Sequence, residues 1–161
     1  MVNSFLVLLP KLILALWPIW TVCLFLLVFK LYQFYRFNKA GMGDIDKMNG
    51  NEFESFLGLI FKRNGYQVKQ TGSPSGDYGA DLIITKDGIS VAVQAKRHNS
   101  VIGVDAVREV LGSIKMYNCS TGIVVTNNYF TSQSKILAKI NNIELWDRKV
   151  LTQMILEPVK K

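Results

Sequence analysis

Apolar residues fall into two regimes along this chain. Leu12 to Phe29 is an eighteen-residue run without a formal charge, extended upstream by Phe5–Pro10; beyond residue 50 the apolar positions recur with helix and strand periods instead. At about 1.5 Å rise per residue, a run near twenty residues spans a bilayer core. Trp17 and Trp20 lie inside the run, and Tyr32, Phe34, Tyr35 and Phe37 follow it as an interfacial aromatic belt would. Pro18 can kink such a helix, which membranes tolerate. A signal peptide would need a shorter apolar run and a small-x-small cleavage site, and neither is evident. The pattern predicts one transmembrane helix, spanning about residues 12–30 within an anchor over 1–38.

The second regime predicts a folded domain over residues 51–156. Phe53, Phe56, Leu57 and Ile60 form the i, i+3, i+4, i+7 stripe of a helix over 51–64, with an Asn to cap its start and Gly65 to close it. Residues 66–71 read as a strand, and 72–79 as a turn-rich loop. Leu82–Ile84 and Ile89–Ala95 flank Asp87-Gly88, a strong two-residue hairpin signal. Val104, Val107, Val110, Leu111 and Ile114 predict a helix over 104–117, and the β-branched run 122–126 a buried central strand. A helix over 131–141 is expected to turn Ile136, Leu137 and Ile140 inward, followed by a strand over 143–146 and a helix over 149–156. The order α-β-β-β-α-β-α-β-α implies an α/β fold, a mixed sheet flanked by helices. Residues 39–50 contain three glycines and read as a flexible linker.

Charge changes the picture only at the N-terminus. The net charge is +7, but Lys11, Lys30, Arg36 and Lys39 supply four of those charges within the first forty residues, where no acid occurs. The remainder is only mildly basic, so the total overstates the case for nucleic acid. Lys30, Arg36 and Lys39 after the run outweigh Lys11 before it. The positive-inside rule therefore predicts a single-pass protein of the cytoplasmic membrane with its C-terminal domain in the cytoplasm. Cys23 and Cys119 show neither metal spacing nor a disulfide framework.

The hairpin carries the candidate chemistry. With Asp87-Gly88 as the loop, Lys86 faces Ile89, Ile84 faces Val91, and Asp81 falls opposite Gln94. Period-2 alternation then gathers Asp81, Gln94 and Lys96 on one face. The plain reading is the solvated outer face of an ordinary hairpin. The chemical one is a phosphodiesterase site, in which hard oxygen ligands hold a divalent metal. Asp81 supplies a carboxylate, Gln94 an amide oxygen and Ala95 its backbone carbonyl. Lys96 orients water and offsets charge on the phosphate. Glu54 completes the shell if its helix packs across the hairpin; alone, it reads as a first-turn acid favoured by the helix dipole. Arg97 and His98 begin a basic loop and are weak candidates for DNA phosphate contacts. With no second histidine in the chain, His98 is a poor metal ligand.

Four segments in order, GNEFESFLGLIFKRNGYQV, GDYGADLI, VQAKR and GIVVTNNYFT, resemble the Mrr-type restriction endonuclease catalytic domain of the PD-(D/E)xK nuclease superfamily. The resemblance covers about residues 47–156 and implies an αβββαβ core. It matches Asp81 to the metal-binding Asp, Gln94 and Lys96 to the Q-x-K variant of the (D/E)-x-K motif, and Glu54 to the acid of the F-E helix. Asp77 and Gly79 fall in its D-x-G-x-D loop, where Asp77 has a structural or a catalytic role. Two departures stand out: Gln replaces the second carboxylate, and the anchor stands where many relatives carry a DNA-recognition domain.

The expected function is that of a membrane-anchored DNA endonuclease using Mg²⁺ or Mn²⁺, with a role in defence against foreign DNA. The alternative is a nuclease-fold module that binds DNA at the membrane without cutting it. A third reading is a structural membrane protein whose soluble domain binds another protein. DNA and the lipid bilayer are the expected partners, and cutting both strands implies a homodimer.

Overall fold

A computed structural model of the protein describes residues 16–38, 40–72 and 78–156. The chain forms two compact units, Met1–Ala40 and Gly41–Lys161. In the first, helix α1 runs from Trp17 to Asn38, and its apolar side chains from Trp17 to Phe29 are exposed. Residues 12–15 of the expected span lie outside the described residues. Among the described residues, no helix is long and apolar enough to cross a membrane. The uncharged part of α1 ends at Phe29, before Lys30, Gln33 and Arg36, well short of the roughly 17–25 apolar residues a span requires.

Residues 41–50 of the expected linker are structured. Residues 42–45 form a short helix, α2, and Ile45 and Met48 are fully buried. Asp46 reaches across the fold: its two carboxylate oxygens each accept a bond from Arg148 at 2.8 Å, and Oδ1 also accepts from Asn127 Nδ2 at 2.9 Å. These residues are therefore part of the second unit. Glycine content suggested a tether, but the apolar side chains of Ile45 and Met48 have a core to enter.

Helix α3, Gly50–Arg63, starts at a reciprocal cap. Asn49 Oδ1 accepts from Glu52 N at 2.9 Å, and Glu52 Oε2 accepts from Asn49 N at 3.0 Å. Gly65, at φ +85°, closes it, with Gly65 N bonded to Lys62 O and Tyr66 N to Phe61 O, the two bonds of a Schellman end. Strands β1 (Gln67–Gln70), β2 (Leu82–Lys86) and β3 (Ile89–Lys96) pair antiparallel. Strands β4 (Thr121–Thr126) and β5 (Glu144–Trp146) join parallel, giving the order β1-β2-β3-β4-β5. Helices α4 (Asp105–Met116) and α5 (Ser132–Ile140) are the crossovers, and α6 spans Arg148–Leu156. The sheet is mixed and flanked by helices, as the patterning implied.

The two faces of the hairpin bury against different helices. Leu82, Ile84 and Val93 lie on the face that α3 covers with Phe53, Phe56 and Leu57, all buried. On the other face Ala92, Ile83 and Val124 pack with Val107 and Val110 of α4 and with Ala138 of α5. One expectation fails on α5. Ile136 and Ile140 are exposed, while Ser134 and Ala138 are buried. Thr131 caps the helix through Ser134 N at 3.2 Å, and Ser134 Oγ donates to Ile102 O at 2.9 Å. These bonds dock the small-residue side of α5, which lets the helix approach closely and leaves the isoleucines outside.

Candidate active site

The site begins at the hairpin turn. Asp87 and Gly88 take φ of +52° and +80°, the two left-handed residues of a type I′ turn, whose twist matches that of the flanking strands. The register follows as expected: Lys86 pairs with Ile89, Ile84 with Val91 and Leu82 with Val93. The ladder stops there. Asp81 N donates to Val93 O at 2.9 Å, so Asp81 and Leu82 both face Val93, as in a β-bulge, and Asp81 stands one residue beyond regular pairing.

That irregularity frees the carboxylate for the next strand. Asp81 Oδ2 accepts from Gln94 Nε2 at 2.8 Å and from Ala95 N at 2.7 Å. Asp81 and Gln94 are buried, at 7% and 4% exposure, because α4 covers this face of the hairpin. The reading as a solvated outer face therefore does not hold for them. With Nε2 turned to Asp81, Gln94 Oε1 is buried and has no hydrogen-bond partner among the described residues. Flipping the amide would set its oxygen against the carboxylate, so the bonding fixes its direction. A buried acceptor without a donor costs roughly 1–3 kcal/mol. Here the orphaned atom is an oxygen beside a carboxylate, a hard donor set that suits a small divalent cation. Asp81, Gln94 and the Ala95 carbonyl are thus the residues fit to hold one.

The remaining candidates divide. Lys96 ends β3, and its Nζ lies 2.6 Å from Glu109 Oε2 of α4. Glu54 is half-buried on α3, beside buried Phe53. Gly79 has φ +84°, and an added Cβ would come 2.3 Å from the carbonyl oxygen of Glu109, so the loop approaches α4 as only glycine allows. Asp77 lies outside the described residues. Thr71 closes the base of this loop, its N donating to Asp81 O at 3.1 Å and its hydroxyl to Ala80 O. Arg97 turns inward and donates through Nη2 to the Asp46 carbonyl. His98 is exposed. Its Nδ1 accepts from Ser100 N at 3.3 Å and lies 2.8 Å from Ser100 Oγ; a backbone N–H only donates, so Nε2 carries the proton of the neutral ring. A groove of about 180 Å³ opens here, lined by Lys96, His98, Ser100, Asp105 and Glu109 among others. Glu109 escaped the sequence reading because nothing local marks it; only its place in the first half of a helix following the K-R-H loop could have pointed to it.

A sequence profile of the restriction endonuclease catalytic family Mrr_cat matches residues 45–155, which include every candidate residue above. The chain belongs to this family. No curated protein matches it significantly. Among solved structures, it is similar to the protein of unknown function AF1548, at 16% identity and TM-score 0.55, covering 65% of this chain and 63% of that one. It is also similar to the DNA modification-dependent restriction endonuclease AspBHI, at 18% identity and TM-score 0.53, covering 74% and 35%. A structure of MspJI restriction endonuclease in complex with a 27-mer oligonucleotide follows at 20% identity and TM-score 0.48, covering 67% and 28%. The chain spans less than two thirds of the length of each, and at these identities the likeness is one of fold.

Proposed function

We propose that the second unit is a divalent-metal-dependent endonuclease that hydrolyses phosphodiester bonds of DNA. The observation that carries this reading is the buried Gln94 Oε1, without a donor among the described residues, beside the Asp81 carboxylate at the end of the strand that also presents Lys96. Membership of a restriction endonuclease family supports the same reaction. A cation such as Mg²⁺ or Mn²⁺ held there would neutralise phosphate charge and acidify a bound water. The chain's own residues supply the rest. Gln94 and Ala95 N–H fix Asp81, and Lys96 presents an ammonium to the phosphate; the family resemblance alone supports a carboxylate from Glu54. His98 Nε2–H is a donor for a neighbouring phosphate at the groove edge. The test is nicking of supercoiled plasmid by the full chain with Mg²⁺ or Mn²⁺ against EDTA. Asp81→Ala should abolish nicking; undiminished nicking by a folded Asp81→Ala protein would remove the assignment. DNA binding without nicking by the unsubstituted protein would favour the non-cleaving alternative.

The reading extends to attachment. The uncharged run Leu12–Phe29, the exposed apolar side chains of α1 and the following Lys30, Arg36 and Lys39 support anchoring at the cytoplasmic membrane, with the nuclease in the cytoplasm and a role against incoming DNA. Extraction of the chain from membranes by high salt or carbonate, or a reporter placing Lys161 outside the cell, would overturn it. Cutting both strands calls for two copies of the site, hence a homodimer on the substrate.

A further inference from the structure

Lys96 is held before any substrate arrives. Its Nζ lies 2.6 Å from Glu109 Oε2, with the two side chains 33% and 41% exposed. Glu109 sits on α4 at the point where the loop leading to Asp81 presses on the helix, since Gly79 meets the Glu109 carbonyl oxygen so closely that a Cβ there would lie 2.3 Å away. One residue of α4 therefore receives the loop through its backbone and the lysine through its side chain. Asp81 and Lys96 are thereby referred to a common point, although they arrive from different strands.

We propose that Glu109 is a positioning residue for Lys96, aiming its ammonium along the face shared with Gln94 and at the mouth of the groove. The consequence for cleavage rests on the nuclease reading above; the pairing itself does not. A lysine on a flexible four-carbon stem is a mobile point charge unless something holds it. A partly exposed ion pair adds little to stability, so a purely structural account of Glu109 leaves the geometry unexplained. Glu109 also brings negative charge to a groove that already carries Asp105. It opposes DNA binding while serving the bound complex, and binding and turnover should therefore part company when it is removed.

The experiment compares the full chain with its Glu109→Ala and Glu109→Gln variants in two measurements. The first is plasmid nicking with Mg²⁺, resolved into kcat and KM for DNA. Misplacing a catalytic group by about 1 Å can cost 100-fold in rate, so Glu109→Ala should lower kcat about 10- to 100-fold with KM unchanged or reduced. Glu109→Gln keeps an acceptor oxygen and should lose less. The second, without DNA or metal, is the ¹⁵N ammonium NMR signal of Lys96, identified by its loss in Lys96→Arg. The signal should be sharp in the unsubstituted protein and broadened or absent in Glu109→Ala. An unchanged kcat in Glu109→Ala, a loss confined to KM, or an ammonium signal indifferent to Glu109 would each overturn the proposal. A chain that nicks no DNA overturns the nuclease reading, and the ammonium signal then decides by itself whether Glu109 holds Lys96.

Discussion

Replacing Gly79 by alanine asks the protein to hold a methyl group where a peptide already lies. The new Cβ would come 2.3 Å from the carbonyl oxygen of Glu109, 2.7 Å from its carbonyl carbon and 3.0 Å from its Cα, with φ at +84°. The left-handed backbone alone costs an L-residue about 1–2 kcal/mol, and forcing α4 or the loop to shift adds about 1–3 kcal/mol, as overpacking generally does. Gly88→Ala is the matched control. Its φ is +80°, but no atom lies within 4 Å of the added Cβ, so it carries the backbone term without the clash. Both substitutions restrict the unfolded chain equally, and that contribution cancels in the comparison. Gly79→Ala should therefore be about 2–5 kcal/mol less stable than the unsubstituted protein, and about 1–3 kcal/mol less stable than Gly88→Ala. At about 2–4 °C per kcal/mol for a chain of this size, Tm separates the two variants clearly, and urea midpoints give the energies. Equal stability of the two would refute the close approach of loop and helix, and with it the common anchoring of Asp81 and Lys96 on α4.

Other expectations follow from single contacts. The Asp46 carboxyl is held below the usual carboxylate range, chiefly by its hydrogen bonds from Arg148, with Asn127, and charge from Arg148 and Arg97, acting in the same direction against burial. A depressed folded-state pKa stabilises the fold above the unfolded value, near 3.9, and that contribution is lost as pH falls through the lower folded value. Because the Asp46 side chain is over a third exposed and the pair is screened by solvent, Asp46→Asn should cost no more than about 1 kcal/mol at neutral pH, with the gap in urea midpoint closing below about pH 4; a gap independent of pH from 3 to 7 would rule the pairing out. Gln94→Glu sets a second carboxylate beside Asp81 and removes the Nε2 donor. Its metal-free Tm should fall, and its rise on adding Mn²⁺ should exceed that of the unsubstituted chain; an equal rise would argue against a cation between these residues. Ile136→Lys and Ile140→Lys should change stability by less than about 0.5 kcal/mol, whereas Ala138→Leu should cost about 1–3 kcal/mol. The reverse ranking would show α5 turned the other way.

Sequence alone determined the parts that depend on neighbours along the chain. Asp87-Gly88 sets the hairpin register from Lys86–Ile89 to Leu82–Val93 because a two-residue turn of left-handed residues admits one pairing of the strands; Asp81 is not paired directly opposite Gln94, and its carboxylate reaches that residue through the bulge at the end of the ladder. The helix over Gly50–Arg63 is legible for a similar reason: its stripe, its capping Asn and Glu, and Gly65 all act within one or two turns. Tertiary structure alone decided the contacts between elements distant in sequence. Asp46 meets Arg148 across 102 positions, which converts an apparent linker into part of the core. Glu109 meets Lys96 only because a crossover helix packs over that face of β3, and a helical glutamate looks the same in sequence whether it faces solvent or a lysine. The same limit explains Ile136 and Ile140. Periodicity finds the apolar side of a helix, but which side is buried depends on the shape of the surface it meets, and here a close approach suits Ser134 and Ala138 better than two isoleucines.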